Sequence, residues 1–186
     1  NEKHYGNEYP HLAEIYIRLG LLLRHLNNYK SAKAALEKAI IINEKQYGKD
    51  HILTANSYAN LALIMRDMGN LLETKTLLQK TVAIEEKRLG SQYAISSENY
   101  SNLAVVLQEL GDTKQGIAML QKVLALKEKQ LGKRHPSLPA YYNRLAVSLR
   151  DIYEYKQAKI LLQKAVAIQE KHFGFEHPDS ANIYIN

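Results

Sequence analysis

The stretch GKDHILTANSYANLALIMRDMGNLLETKTLLQKTVAIEEKRL, residues 48–89, is one complete copy of a unit that recurs every 42 residues. A glycine begins each copy, at Gly6, Gly48, Gly90, Gly132 and Gly174, and positions below are counted from that glycine as zero. Position 10 is always tyrosine, at Tyr16, Tyr58, Tyr100, Tyr142 and Tyr184. The complete units are 6–47, 48–89, 90–131 and 132–173, with residues 1–5 before them and a half-unit at 174–186. We predict a single repeat array over residues 1–186, in which residues 1–5 end a truncated preceding unit.

Each unit contains two amphipathic patterns of helical period. The first has apolar or small residues at positions 7, 10, 13, 14 and 17, which form one stripe on an α-helix. A breaker follows at position 21, for example Gly69, and a second helical pattern then runs to the next repeating glycine, a residue suited to closing a helix. We therefore predict an all-α fold of antiparallel helix pairs joined by short loops, with no strand.

Composition and motifs exclude several classes of function. The chain has 46% apolar and 24% charged residues, a globular composition, and no cysteine for a disulfide or a thiolate metal site. No apolar run approaches the roughly 18 residues that span a bilayer, and no signal peptide is visible. No H-E-x-x-H, G-x-S-x-G or phosphate-binding glycine loop occurs, and the loop histidines lie a full unit apart. We predict a cytoplasmic protein that is not an enzyme and has no cofactor and no metal.

Two units carry a family resemblance most clearly. The matching residues are Asn60-Leu61-Ala62, Met65, Gly69, Leu71, Leu78 and Lys80-Thr81 in the second unit, and Asn102-Leu103-Ala104, Leu107, Gly111, Leu120 and Lys122-Val123 in the third. These residues resemble the tetratricopeptide repeat signature. The 42-residue length, the Gly-x-x-His-Pro start and the Ile-x-Glu-Lys-x-Leu-Gly end are similar to the repeats of kinesin light chain and of bacterial multirepeat proteins. The resemblance implies a right-handed superhelical solenoid whose first helices line a concave peptide-binding groove.

The resemblance places the groove at positions 8, 11, 12, 15, 18 and 19 of the units. The candidate peptide-binding residues at these positions are Arg18, Arg24, Asn56, Asn60, Arg66, Asn102, Gln108, Asn143, Arg144 and Arg150. An asparagine amide both donates and accepts, so it can hold a peptide backbone; alternatively, it bridges to the adjacent helix. The arginines suit carboxylates, unless Asp67, Glu109 and Asp151 at position 19 pair with them. Position 15 is apolar throughout, at Leu21, Leu63, Val105 and Val147.

Two further rows of residues receive structural interpretations. The tyrosines at position 10 lie on the buried stripe, so we expect them in the core. Lysines recur at positions 32 and 39, at Lys38, Lys80, Lys122, Lys164, Lys45, Lys87, Lys129 and Lys171. They are seven residues apart on one helix face, and we expect a solvated ridge on the convex side. Because no aromatic residues are interleaved with this ridge, nucleic acid is not expected as a partner.

The sequence favours a protein-interaction module. Its groove would bind an extended peptide segment of a partner, with a hydrophobic anchor and acidic neighbours. Two alternatives stay open: a structural spacer or self-association element that joins through the ends of the array, and the sensor portion of a larger signalling or effector protein. We expect the half-unit 174–186, with Ala181 and Tyr184, to cover the apolar face of the fourth unit.

Overall fold

The computed structural model describes residues 8–91, 93 and 98–173. The expected chain ends, 1–5 and 174–186, lie outside these residues. The helices are α1 (Glu8–His25), α2 (Tyr29–Tyr47), α3 (Ile52–Asp67), α4 (Leu71–Leu89), α5 (Glu98–Glu109), α6 (Thr113–Leu131), α7 (Leu138–Asp151) and α8 (Tyr155–Phe173). No strand occurs in the described ranges, and the all-α prediction is confirmed.

The chain divides into two compact parts, an N-terminal part Asn1–Val106 and a C-terminal part Leu107–Asn186, with the boundary inside α5. In the first, α2 packs against both α1 and α3, and α3 packs against α4. In the second, α7 packs against both α6 and α8. Packing thus follows chain order, which is the arrangement of an α-solenoid built from helix pairs.

The two helices of a pair approach closely where position 14 of the first helix is small. That residue is buried in each unit, at Gly20, Ala62, Ala104 and Ala146. In the first and second repeats the leucine at position 30 of the second helix is also buried: Leu36 and Leu78 are 0% and 2% exposed. In the first pair the approach is so close that a Cβ on Gly20 would lie 2.8 Å from Cγ of Leu36. A small residue is therefore what allows α1 and α2 to pack at this distance.

The break between the helices of a pair always has the same left-handed backbone. Gly69 and Gly111 adopt φ of 77° and 89° there, and Asn27 adopts 57°. Tyr153 stands in the same place in the fourth unit with φ of 65°, although this conformation is unfavourable for a bulky side chain. Its side chain is 78% exposed. The repeat register, rather than the residue type, thus determines this turn.

Three tyrosines of position 10 are buried between successive helix pairs, as predicted, whereas Tyr16 is half-buried and Tyr184 lies outside the described residues. Tyr58, Tyr100 and Tyr142 are 6%, 8% and 1% exposed. The hydroxyl group of Tyr142 donates to Oε1 of Glu128 at 2.5 Å, and that of Tyr58 donates to Oε1 of Glu44. Each glutamate is position 38 of the preceding unit, so this hydrogen bond joins one helix pair to the next. We call the contact the tyrosine–glutamate junction.

The junction shifts the ionisation of its tyrosines. Burial raises the pKa of both Tyr58 and Tyr142, and the hydrogen bonds to Glu44 and Glu128 raise it further. Burial also raises the pKa of Tyr100, with a smaller contribution from the charge of Glu86, again at position 38 of the preceding unit. These tyrosines therefore stay neutral donors over the physiological pH range.

The lysines of position 32 are exposed, as the expected ridge requires, and three of them also contact aromatic rings. Their ammonium groups lie over tyrosine rings: Lys38 over Tyr16, Lys80 over Tyr58 and Lys164 over Tyr142, at 5.4, 5.6 and 5.9 Å from the ring centroids. A cation at this distance from an aromatic face is attracted to it. These lysines are exposed, but they cover the junction rather than forming a featureless solvated surface.

Candidate functional site

The candidate residues lie on the first helices of the pairs. We call the surface formed by positions 8, 11, 12, 15, 18 and 19 of these helices the groove face. In the N-terminal part the groove face comprises residues of α1, α3 and the start of α5. In the C-terminal part it comprises Gln108 and residues of α7.

In the N-terminal part, a bidentate ion pair joins α1 to α3 on the groove face. Nε of Arg24 donates to Oδ2 of Asp67 at 2.5 Å, and Nη2 donates to Oδ1 at 3.3 Å. The two side chains are 31% and 26% exposed. The hydrogen bond to Asp67 raises the pKa of Arg24, although burial opposes the shift. The charge of Arg24 is thus neutralised within the fold, as considered from the sequence.

Two further candidate arginines also have carboxylate partners. Nη2 of Arg18 contacts Oε1 of Glu14 at 2.5 Å, and both side chains are more than half exposed. Arg150 contacts its neighbour Asp151 at 3.2 Å, also in an exposed position. Exposed pairs of this kind contribute little to stability and exchange readily. Arg66 and Arg144 are half-buried and make contacts of their own. The groove face therefore carries less net positive charge than its arginine count suggests.

The asparagines of the groove face do not bridge helices. Nδ2 of Asn60 donates to the carbonyl oxygen of Asn56 at 2.9 Å, one turn earlier in the same helix. Oδ1 of Asn60 accepts no hydrogen bond within the described part of the chain, and neither Asn56 nor Asn102 forms a side-chain hydrogen bond there. Asn56 is exposed, and Asn60 and Asn102 are half-buried. The amides thus keep most of their hydrogen-bonding capacity.

In the C-terminal part, Gln108 and Asn143 combine partial burial with unsatisfied polar atoms. Oε1 of Gln108 accepts from Oγ of Ser148 at 3.0 Å, while Nε2 of Gln108 is buried without a partner among the described residues. Oδ1 of Asn143 is likewise buried without one. Buried polar atoms are rarely left unpaired, so both atoms mark places where a further polar group would be stabilising.

A cleft of about 710 Å³ lies between α7 and α8 in the C-terminal part. Val147 and Arg150 of the groove face form part of its wall, and α8 contributes Leu162 and Val166. The half-unit 174–186, which we expected to cover this face, lies outside the described residues. Sequence reasoning did not include the α8 wall, although the apolar residues of the second helical pattern could have indicated it.

The loop histidines have a structural explanation in the second and fourth repeats. Nδ1 of His51 accepts from the backbone N–H of Leu53, and Nδ1 of His135 accepts from that of Ser137, each at 3.2 Å. His51 thereby caps the start of α3. Within the residues that were described, no group of three or more side chains is arranged to hold a metal ion. No helix among them is long and apolar enough to cross a membrane.

The helix pairs, their break and their junctions define a class of protein, the α-solenoid of two-helix repeats. The tetratricopeptide repeat family model matches residues 11–87, 55–129 and 95–171, and the chain belongs to this family. Tetratricopeptide repeats are generally protein–protein interaction modules, and members are typically scaffolds rather than enzymes. The resemblance seen in the sequence is thus confirmed.

Similar solved structures support the kinesin light chain-like type of repeat. The nearly identical TPR-like repeats of a Podosopora anserina protein described as kinesin light chain are 27% identical; the match covers 94% of this chain and 82% of that one, with a TM-score of 0.81. BtubC (BKLC) from P. vanneervenii is 19% identical over 90% of this chain and 66% of that one, with a TM-score of 0.78. MamA is 16% identical over 86% and 79%, with a TM-score of 0.64. The last two show the fold alone. No curated protein matches this chain.

Proposed function

We propose that the groove face binds an extended segment of a partner protein. The observation that carries the proposal is the unused hydrogen-bonding capacity of Asn60 and Asn102 at position 12. Asparagine is a mediocre helix former, so its recurrence in the middle of a helix calls for another reason. An amide offers one donor group and one acceptor, which match the carbonyl and N–H groups of an extended backbone irrespective of its side chains.

An apolar row beside these amides would hold the side-chain anchor of the segment. Leu21, Leu63 and Val105 at position 15 are each half-buried, one turn beyond position 12. They leave apolar surface on the groove face that a leucine-sized side chain of the partner would remove from water. Burying such a side chain contributes about 1.5–3 kcal/mol, enough to favour one register of the segment.

Acidic residues of the partner are a minor part of this proposal. Arg24 is already paired with Asp67, and Arg150 with Asp151. The exposed pairs of Arg18 and Arg150 would exchange their carboxylate partners easily, and an exposed ion pair contributes about 1 kcal/mol or less. The anchor and the amides, rather than the charge of the segment, would therefore determine affinity.

The two other hypotheses stay predictions. A spacer or self-association element would act through the ends of the array, and sedimentation over a concentration series tests it. A sensor role would depend on further domains of a larger protein. Nucleic acid is not part of the proposal, because the rings of Tyr58, Tyr100 and Tyr142 are buried and offer no stacking surface.

The experiment selects ligands first and then tests the amides. Extended 12-residue peptides are selected from a random library on the immobilised chain, and their affinities are measured with the wild-type chain and two variants. We expect Asn60→Ala/Asn102→Ala to weaken binding on the order of tenfold, since each lost hydrogen bond contributes about 0.5–1.5 kcal/mol. The matched control is Gln79→Ala, which removes an exposed amide from α4, outside the groove face.

The outcome distinguishes groove binding from the other modes. Unchanged affinity of the double variant, with helicity retained, would refute the groove face as the binding site. Equal weakening by Gln79→Ala would show that amide loss acts through general stability rather than through contact. Peptides selected without any shared apolar residue would overturn the anchor.

A further inference from the structure

A small basic cleft lies in the N-terminal part, between the α2–α3 loop and α4. It has a volume of about 330 Å³ and is lined by Lys49, Asp50, Tyr58, Lys80, Ala83, Ile84 and Lys87. None of these residues belongs to the groove face. The cleft was not visible in the sequence, because it combines positions 1 and 2 of a unit with positions 32 and 39.

The wall of the cleft is held in place by several contacts. Nε of Arg88 donates to the carbonyl oxygen of Asp50 at 2.7 Å and fixes the loop against the end of α4. The ammonium group of Lys87 pairs with the carboxylate of Asp50. The floor is buried, since Tyr58 and Ile84 are each 6% exposed. The loop and the lysines of α4 are thus positioned before any ligand binds.

The lining of the cleft has an excess of two positive charges, since it contains three lysines and one aspartate. The aspartate is paired with Lys87, and the hydrogen bond from Lys87 lowers the pKa of Asp50, so that its carboxylate stays ionised. Lys49 has no carboxylate partner within the described part of the chain. Lys80 has none there either, and it lies over the ring of Tyr58. Lys49 and Lys80 thus line the cleft without a carboxylate partner of their own among the described residues.

From this geometry we propose that the cleft binds a phosphate monoester carried on a side chain of a partner protein. A phosphate monoester has a charge of about −1.5 to −2 at neutral pH, which matches the excess charge of the lining better than one carboxylate does. Lysine acts as a point charge for phosphate and needs no bidentate geometry. A nucleic acid would present singly charged phosphates and would need exposed rings for its bases, whereas Tyr58 is buried.

Basic residues occupy the same positions in the fourth repeat. The residues at positions 1, 2, 32 and 39 of the fourth repeat are Lys133, Arg134, Lys164 and Lys171. The backbone contact recurs too, because Nε2 of His172 lies 3.1 Å from the carbonyl oxygen of Arg134, as Arg88 does from that of Asp50. Lys164 lies over Tyr142 as Lys80 lies over Tyr58. The basic positions are thus repeated, and Arg134 of the fourth repeat replaces the aspartate by a cation.

The test is a titration of the full ¹⁵N-labelled chain at constant ionic strength. The probes are inorganic phosphate, N-acetyl-phosphoserine methylamide and N-acetyl-glutamate methylamide. We expect saturable shifts of the amide signals of Lys49, Asp50 and Lys87, with phosphoserine bound more tightly than glutamate. Lys80→Gln should weaken phosphoserine binding on the order of fivefold, and Asp50→Asn should strengthen it by a similar factor.

The matched control is Lys122→Gln. Lys122 occupies position 32 of the third repeat, where the residue equivalent to Lys49 is Ser91, so its loss removes the same charge away from any such cleft. We expect no change in the titration of Lys49 and Asp50 in this variant. Asp50→Asn keeps the proposal testable if a lysine variant folds poorly, because it predicts a gain.

The other outcomes overturn the proposal. Shifts that never saturate, or that persist unchanged in Lys80→Gln, would mean an adventitious ion only. Inorganic phosphate bound more tightly than phosphoserine would mean a free anion rather than a modified side chain. Displacement of phosphoserine by a 12-base-pair DNA duplex at lower concentration would assign the site to nucleic acid. Because the cleft and the groove face share no residue, failure here leaves the peptide-binding proposal untouched, and the reverse also holds.

Discussion

Removing the hydroxyl group of Tyr142 should weaken the tyrosine–glutamate junction without disturbing its packing. In Tyr142→Phe the ring stays buried and still faces Lys164, but the bond to Glu128 at 2.5 Å is lost. A hydrogen bond to a charged group contributes about 1.5–3 kcal/mol, and we expect a loss near the lower limit because Glu128 is partly exposed and regains water. The free energy of unfolding should therefore fall by about 1.5 kcal/mol at pH 7.

The pH dependence separates this mechanism from a simple packing defect. The pKa of Tyr142 is raised in the folded state, so its contribution is fully present below the unfolded pKa of about 10 and is lost as the pH rises beyond it. In that alkaline range the tyrosine makes the free energy of unfolding fall by about 1.4 kcal/mol for each pH unit. Tyr142→Phe should remove this part of the slope.

Urea denaturation followed by circular dichroism, at pH values from 7 to 11, measures both effects. Tyr153→Phe is the matched control, since it removes an exposed hydroxyl group that donates to no carboxylate of the described residues. The reasoning is refuted if Tyr142→Phe keeps the wild-type alkaline slope, or if Tyr153→Phe reduces the slope equally.

Three further substitutions test other parts of the fold. Tyr153→Asn should raise the free energy of unfolding by about 1 kcal/mol, because asparagine tolerates the left-handed backbone better; a lower urea midpoint would contradict this. Gly20→Ala should lower it by about 1 kcal/mol, because the clash with Leu36 outweighs the gain in helix propensity; an unchanged midpoint would show that α2 moves away. Arg24→Ala should lower it by about 1–2 kcal/mol, because it leaves the mostly buried carboxylate of Asp67 without a cation. A double-mutant cycle with Asp67→Asn measures the coupling, and strict additivity would refute the pair.

The helices were predictable from the sequence because their signals are local. Positions 5–20 and 22–40 predict helices near 53–68 and 70–88 in the second repeat, and the structure has Ile52–Asp67 and Leu71–Leu89. Tyr153 is the instructive case, because its residue type argued against a break. The register of the neighbouring units imposed the left-handed turn there despite the strain.

The contacts between helix pairs could be predicted only in part. Position 10 of the tyrosines indicated burial, but not that the hydroxyl group reaches position 38 of the preceding unit. Likewise, the lysines of position 32 were assigned to a solvated ridge from their spacing within one helix. The tyrosine rings that they contact belong to a different helix, so the spacing did not reveal these contacts. The pair between Arg24 and Asp67 depends on how far α3 is displaced along α1, a quantity that helical periodicity does not contain.

The tyrosine–glutamate junction also limits how the length of such an array can change during evolution. Loss of residues 48–89 would bring Glu44 opposite Tyr100, a pair with the same chemistry as Glu44 and Tyr58. A deletion that is not a whole multiple of 42 residues would place an unrelated residue opposite the glutamate and leave a buried hydroxyl group without an acceptor. Duplication and loss of whole 42-residue units are therefore the changes that this fold accommodates, so gene length should vary among its descendants in steps of one unit.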